Sequence, residues 1–141
     1  MQLKQLSQKF VNDLKHIYPE DEAQTLFLIT LAHYLNFSRT DYLVKKEDEI
    51  TDEQLDSFET VLAELLTGKP IQYILGETYF YGLPFKVNPS VLIPRPETEE
   101  LVEWILSVCN SRFSVANPND EIVNRQFKIV NLFDIGTGSG C

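Results

Sequence analysis

Apolar residues recur at helical spacing through the first 70 residues of the chain. Residues 2–16 carry an apolar side chain every three or four positions, which predicts an amphipathic helix. That stripe consists of Leu3, Leu6, Phe10, Leu14 and Ile17. Residues 23–35 are apolar on nearly every face, as expected of a central helix surrounded by others. The pattern therefore predicts a small helical bundle.

Residues typical of helix termini indicate where these helices begin and end. Pro19 stands where a first-turn proline is expected, and acidic residues follow it. Ser38 with Asp41, and Thr51 with Gln54, have the spacing of capping boxes and predict a short third helix and a longer fourth one. The fourth helix presents one apolar stripe, which consists of Leu55, Phe58, Leu62 and Leu65, and Gly68 is expected to end it.

The pattern changes after residue 70. Residues 77–87 are aromatic and branched around Gly82, which predicts a β-hairpin whose rings pack between domains: Tyr79, Phe80, Tyr81 and Phe85. The following stretch, residues 88–96, contains three prolines, and the last of them, Pro96, begins a helix. Residues 110–126 read as a polar loop. Residues 127–135 predict a strand that is apolar enough to be buried in a parallel sheet.

Composition narrows the class of protein. The formal net charge is −9, from 21 acidic and 12 basic side chains, and both halves are acidic. That argues against broad binding to nucleic acid, although a protein partner with a basic patch would fit. Cys109 and Cys141 form neither a disulfide framework nor a zinc site, and His16 and His33 have no metal-ligand spacing. No run reaches the length of a membrane span and no signal peptide is evident, so a cytoplasmic location is expected.

The final predicted strand leads into alternating glycines. Gly136 would allow a tight turn, Gly138 would let a ligand approach the backbone, and Gly140 would let the following helix pack closely. A dinucleotide fingerprint requires G-x-G-x-x-G, and a phosphate loop requires a following Gly-Lys-Ser/Thr. Neither fits, because the spacing here is G-x-G-x-G and the sequence has no lysine after Lys128. With Asp134 before it, this turn resembles the first motif of class I methyltransferases that use S-adenosylmethionine.

A longer upstream segment resembles one family. The stretch GKPIQYILGETYFYGLPFKVNPSVLIPRPETEELVE, residues 68–103, is similar to the joining region of the release-factor glutamine methyltransferases, the HemK family. The match is close over 68–141, whereas residues 1–67 match only as an acidic helical domain. A sister group modifies a ribosomal protein, and the string RPETE at 95–99 favours the release-factor branch.

The resemblance implies an α+β chain of three parts. Residues 1–70 would be an all-helical substrate-recognition domain, residues 71–96 a β-hairpin and proline-rich linker, and residues 97–141 the truncated start of a Rossmann-like α/β methyltransferase domain. The implied cofactor is S-adenosylmethionine and the implied partner is a peptide chain release factor, with no direct nucleic acid, membrane or metal. The implied donor-binding residues are Arg95, Thr98, Asp134, Gly136, Thr137, Gly138, Ser139 and Gly140. We expect Glu97 and Glu99 to stabilise the helix dipole.

The family's catalytic Asn-Pro-Pro-Tyr motif does not occur in these residues. The strings at 88–90 and 117–119 are the nearest and read as turns. We therefore expect an N-terminal fragment that contains no catalytic residue and is inactive alone, belonging to an enzyme that methylates the glutamine of the Gly-Gly-Gln loop of release factors. The alternatives are a methyltransferase for a ribosomal-protein glutamine or for adenine, and a non-enzymatic module that binds release factor or ribosome.

Overall fold

A computed structural model of the protein describes the backbone of residues 1–112 and the side chains of residues 1–107. The chain divides into two compact units, Met1–Glu77 and Thr78–Cys141. The described residues form six helices and two strands: α1 Leu3–Leu14, α2 Glu20–Leu35, α3 Arg39–Lys45, α4 Asp52–Leu65, α5 Ile71–Leu75, β1 Glu77–Phe80, β2 Leu83–Lys86 and α6 Pro96–Arg112. None of these helices is long and apolar enough to cross a membrane.

The first unit is a helical bundle with one apolar core. α1 packs against α2 and α4, and α2 also contacts α4 and α5. Three fully buried phenylalanines lie at the centre, with Phe27 in ring contact with both Phe10 and Phe58 at centroid distances of 5.6 Å. Around them the core contains Leu3, Leu6, Leu14, Ala23, Leu26, Leu31, Val61, Leu62, Leu65 and Ile71. The predicted bundle is thus confirmed.

Side-chain caps define two helix starts as the sequence predicts. The backbone N–H of Asp41 donates to the Ser38 hydroxyl at 3.1 Å, and the Ser38 N–H donates to the Asp41 carboxylate at 2.9 Å. Thr51 and Gln54 exchange the same two bonds at 3.2 and 2.9 Å. Each box satisfies two backbone donors that a helix start would otherwise leave without an acceptor.

Three local predictions need correction. Ile17 is 49% exposed, because α1 ends at Leu14, whose carbonyl accepts the N–H groups of both Ile17 and Tyr18 and so reverses the chain. Pro19 is the N-cap of α2 rather than its first residue. Residues 110–112 continue α6 instead of opening a loop.

The first residues of the chain form backbone hydrogen bonds with the segment between α3 and α4. The N–H of Leu3 donates to the Asp48 carbonyl at 3.0 Å, and the N–H of Lys4 donates to the Lys46 carbonyl at 2.8 Å. In the opposite direction, the N–H of Ile50 donates to the Met1 carbonyl at 3.1 Å. The first-turn amides of α1 are therefore satisfied by residues more than 40 positions away in sequence.

The second unit contains the predicted hairpin and the helix that follows it. β1 pairs with β2 through a two-residue turn in which Tyr81 (φ 50°) and Gly82 (φ 74°) both have left-handed backbone, the geometry of a type I′ turn. Phe80 lies edge-on to Phe85 with ring centroids 6.1 Å apart. Helices with a two-stranded sheet confirm the α+β expectation for the described residues. The expected strand at 127–135, which would begin the Rossmann-like sheet, lies outside them.

Candidate functional site

The start of α6 carries the two candidate donor-binding residues that the structure describes: Arg95 directly precedes the helix and Thr98 lies in its first turn. Pro96 opens the helix, as predicted, and the N–H of Thr98 donates to the Arg95 carbonyl at 2.9 Å. This bond places a guanidinium-bearing residue and a hydroxyl-bearing residue on one turn of backbone. Both residues are solvent-exposed. A cation and a hydroxyl together have the chemistry to bind a carboxylate.

Glu99, in the first turn of α6, forms a hydrogen bond to the tip of the hairpin. The Glu99 carboxylate accepts the backbone N–H of Tyr81 at 2.7 Å, across 18 residues of sequence. We expected Glu99 only to stabilise the helix dipole, and it does lie in the first turn of α6. The hydrogen bond to Tyr81 is a second role that no local sequence signal indicates, because it depends on how the hairpin folds back.

The ring side chains of the hairpin divide between its two faces. Phe80 is buried and pairs with Phe85, whereas Tyr79 is 69% exposed and Tyr81 is 43% exposed. The expected packing of these rings between domains remains a prediction. Leu83, at the start of β2, is 60% exposed as well. The alternation of β1 predicts two faces, and the outer one presents tyrosine rings to solvent.

The described part of the helical unit has an acidic surface that is partly neutralised by lysines. Lys9 contacts Glu59 at 2.6 Å, and this hydrogen bond raises the pKa of the Lys9 ammonium. Lys69 forms a second salt bridge, with Glu64. Because the unit has more acidic than basic residues, other carboxylates remain available to a basic partner surface.

His33 has a specific role that the sequence does not predict. Its Nδ1 lies 2.6 Å from the carboxylate of Glu77, the residue that begins β1. His33 is also edge-on to the Tyr34 ring, with centroids 4.8 Å apart. The pair ties the last residue of the helical unit to α2. We expected an ordinary surface or packing role for this histidine, and the only signal available was its position near the end of a helix.

The remaining predicted donor-binding residues lie outside the described residues. They are Asp134, Gly136, Thr137, Gly138, Ser139 and Gly140. The structure therefore brings Arg95 and Thr98 together and leaves the glycine turn as a prediction. The predicted domain boundaries at residues 70 and 96 also remain predictions.

Comparison with known proteins gives one consistent result. The family model described as the PrmC N-terminal domain matches residues 5–76, about half of the chain. A curated release factor glutamine methyltransferase of Flavobacterium psychrophilum is 43% identical over 141 residues, which is all of this chain and 45% of that protein. The proteins of the same name from Bacillus cereus and Streptococcus pneumoniae are 42% identical over 114 residues and 38% identical over 141 residues.

These matches extend through the helical unit, the hairpin and α6. The Streptococcus match covers 99% of this chain and 44% of the relative, and the Bacillus match covers 79% and 35%. The chain thus spans less than half the length of the curated relatives that it matches. Both the whole-chain identity and the match to the N-terminal domain agree with the resemblance seen in the motifs at 68–103. The chain therefore belongs to the PrmC family, whose curated members are named release factor glutamine methyltransferases.

Proposed function

We propose that the protein containing these residues methylates the side-chain amide of the glutamine in the Gly-Gly-Gln loop of peptide chain release factors. The observation that carries the proposal is identity over the whole chain to curated proteins of that name. A cytoplasmic location follows from this proposal, because release factors act on translating ribosomes. Residues 1–70 would recognise the protein substrate, residues 71–96 would link the domains, and residues 97–141 would begin the methyltransferase domain.

The proposed methyl donor is S-adenosylmethionine, which supplies an electrophilic methyl group on a sulfonium centre. Of the proposed donor-binding residues, Arg95 and Thr98 can be tested for fit. Both are exposed on one turn, and their guanidinium and hydroxyl suit the carboxylate of the donor's methionine end. The glycines at 136, 138 and 140, with Thr137, Ser139 and Asp134, complete the proposed site. Backbone amides at a helix start would favour the same negative charge.

The acceptor chemistry explains why positioning dominates this reaction. An amide nitrogen is a poor nucleophile because its lone pair is delocalised into the carbonyl. The protein must therefore hold the glutamine in line with the methyl group and hydrogen-bond the amide so that electron density moves to nitrogen. What these residues can contribute is the placement of the substrate polypeptide and of the donor's carboxylate. The acidic helical unit suits a basic surface on that polypeptide.

The proposal is tested with the product of the complete gene. It is incubated with unmethylated release factor and methyl-labelled S-adenosylmethionine, and the peptide containing the Gly-Gly-Gln sequence is examined by mass spectrometry. We expect that peptide to gain the mass of one methylene group and the label. A release factor whose loop glutamine is replaced by asparagine is the matched control and should remain unlabelled. Label on a ribosomal protein or on adenine would favour an alternative substrate, and release-factor binding without any transfer would favour a recognition module.

A further inference from the structure

We propose that Glu99 is a positioning residue for the protein substrate: its carboxylate fixes the hairpin turn at Tyr81 beside the first turn of α6. The proposal rests on the proposed function above. Its structural basis is the 2.7 Å hydrogen bond from the Tyr81 N–H to Glu99. Both residues belong to the second unit, so the bond orders one compact body. We call this bond the turn latch.

The turn has two properties that make an external acceptor useful. The first is that Tyr81 has φ 50°, a left-handed conformation that side chains with a Cβ disfavour. The second is that, in a two-residue hairpin turn, the N–H of the first central residue points away from the strand pairing and needs another acceptor. A carboxylate satisfies that donor with a charge-assisted bond, which is stronger than a bond to a neutral group. The bond to Glu99 thus offsets the backbone strain at Tyr81, a strain that the neighbouring Gly82 does not experience because it has no Cβ.

The location gives the latch a functional meaning. Glu99 directly follows Thr98, and the Thr98 N–H is bonded to the Arg95 carbonyl. The Tyr81 amide is therefore held within one side-chain length of the turn that carries both described donor-binding candidates. The Tyr81 side chain remains 43% exposed, so its ring and hydroxyl are available to a polypeptide. When the latch is lost, the part set free is the hairpin turn, because α6 keeps its own backbone bonds. We therefore expect the defect in protein-substrate binding and not in donor binding.

Glu97 provides a matched control, because it separates the latch from a helix-dipole effect. Both carboxylates lie in the first turn of α6 and both favour the positive end of the helix dipole. Glu97→Ala removes that contribution and leaves the bond to Tyr81 intact. Glu99→Ala removes both, and Glu99→Gln keeps an acceptor oxygen without the charge.

The first experiment reads the latch itself in the 141-residue chain. The Tyr81 amide resonance is compared between the ¹⁵N-labelled wild type and its variants. We expect this resonance to shift strongly in Glu99→Ala, to shift less in Glu99→Gln, which keeps an acceptor oxygen, and to stay near its wild-type position in Glu97→Ala. In Glu99→Ala, the backbone shifts and the HN–Hα coupling of Tyr81 should also indicate a departure from left-handed backbone. A Tyr81 amide that keeps its wild-type position in Glu99→Ala, or that shifts equally in Glu97→Ala and Glu99→Ala, would overturn the proposal.

The second experiment reads the consequence in the product of the complete gene. For Glu99→Ala we expect the KM for release factor to rise about fivefold, as the loss of one exposed hydrogen bond permits, with kcat and the KM for S-adenosylmethionine little changed. Glu99→Gln should restore most of the loss, and Glu97→Ala should match the wild type. A fall in kcat alone, or an equal rise in KM for Glu97→Ala, would refute the positioning role. If the wild-type product transfers no methyl group to release factor, the proposed function is wrong. If the wild type is active and Glu99→Ala is unaffected, only the positioning role of Glu99 is wrong.

Discussion

Replacement of Phe27 by leucine should test whether ring contacts hold the helical unit together. Phe27 is fully buried and contacts three rings: Phe10, Phe58 and Tyr42, each at a centroid distance of 5.6 Å. Leucine keeps a large apolar side chain at this position but makes no aromatic pair. Each pair contributes about 0.5–1.5 kcal/mol beyond the burial of its area. Leucine recovers part of that through dispersion, so we expect a loss of about 2–3 kcal/mol in the free energy of unfolding.

The same replacement should act selectively on α3. None of the seven residues of α3 is fully buried, and the Tyr42 ring is in edge contact with Phe27. Lys45 lies over the Phe37 ring, with its Nζ 4.1 Å from the ring centroid, and adds a weaker tether. Loss of the Phe27 ring should therefore release α3 before the rest of the bundle unfolds. Amide hydrogen exchange over Arg39–Lys45 should accelerate more than exchange in α1 or α4.

The assay is urea unfolding of the 141-residue chain followed by far-ultraviolet circular dichroism, together with hydrogen exchange. Val44→Ala is the matched control: Val44 lies on α3 but is 78% exposed, so its truncation should change stability by less than about 0.5 kcal/mol. If Phe27→Leu costs no more than Val44→Ala, the aromatic cluster does not hold the unit together. Uniform acceleration of exchange across all helices would instead refute the selective attachment of α3.

Three further outcomes follow from the caps and from the hydrogen bond between His33 and Glu77. Thr51→Ala should cost about 1 kcal/mol in urea unfolding because it removes the cap of α4, and Thr51→Ser should cost much less. Hydrogen bonds from the hydroxyl and the backbone N–H of Ser38 hold the pKa of Asp41 below its ordinary value. The Asp41 carboxylate therefore stabilises the folded protein above its unfolded pKa of about 4, and this stability is lost as the pH falls through the lower folded pKa. Asp41→Asn should abolish that part of an acid-unfolding curve. His33→Ala and Glu77→Ala should each accelerate exchange around residue 77. The double variant should exchange no faster than His33→Ala, because His33→Ala already removes the contact with Glu77 together with the ring contact with Tyr34. Additive effects would contradict a direct pair.

Features set by neighbours in sequence were predictable. Both capping boxes depend on residues three positions apart, and so Ser38 and Thr51 could be assigned before any tertiary contact was known. Pro96 likewise marks the start of α6, because its fixed φ suits a first helical position. The apolar period located the core of α1 up to Leu14, but not the reversal that exposes Ile17. Periodicity does not state where a helix stops.

Features that depend on distant residues were not predictable. The short helix α5 lies between Pro70 and Gly76 and is too brief to show a period. The bond between Tyr81 and Glu99 requires the hairpin to fold back toward α6, and no local rule places a carboxylate there. The hairpin was evident, yet its turn type was not, because tyrosine is an unusual residue for left-handed backbone. The donor-binding glycines remain a motif-based prediction.

The bonds that seal the first residues of α1 have a practical consequence for handling the protein. Because the Met1 carbonyl accepts the N–H of Ile50 and the Leu3 N–H reaches the Asp48 carbonyl, the chain start is part of the bundle and not a loose end. A purification tag or reporter fused directly before Met1 would compete with this arrangement. We expect such fusions to lower the melting temperature unless a flexible spacer separates them from the bundle.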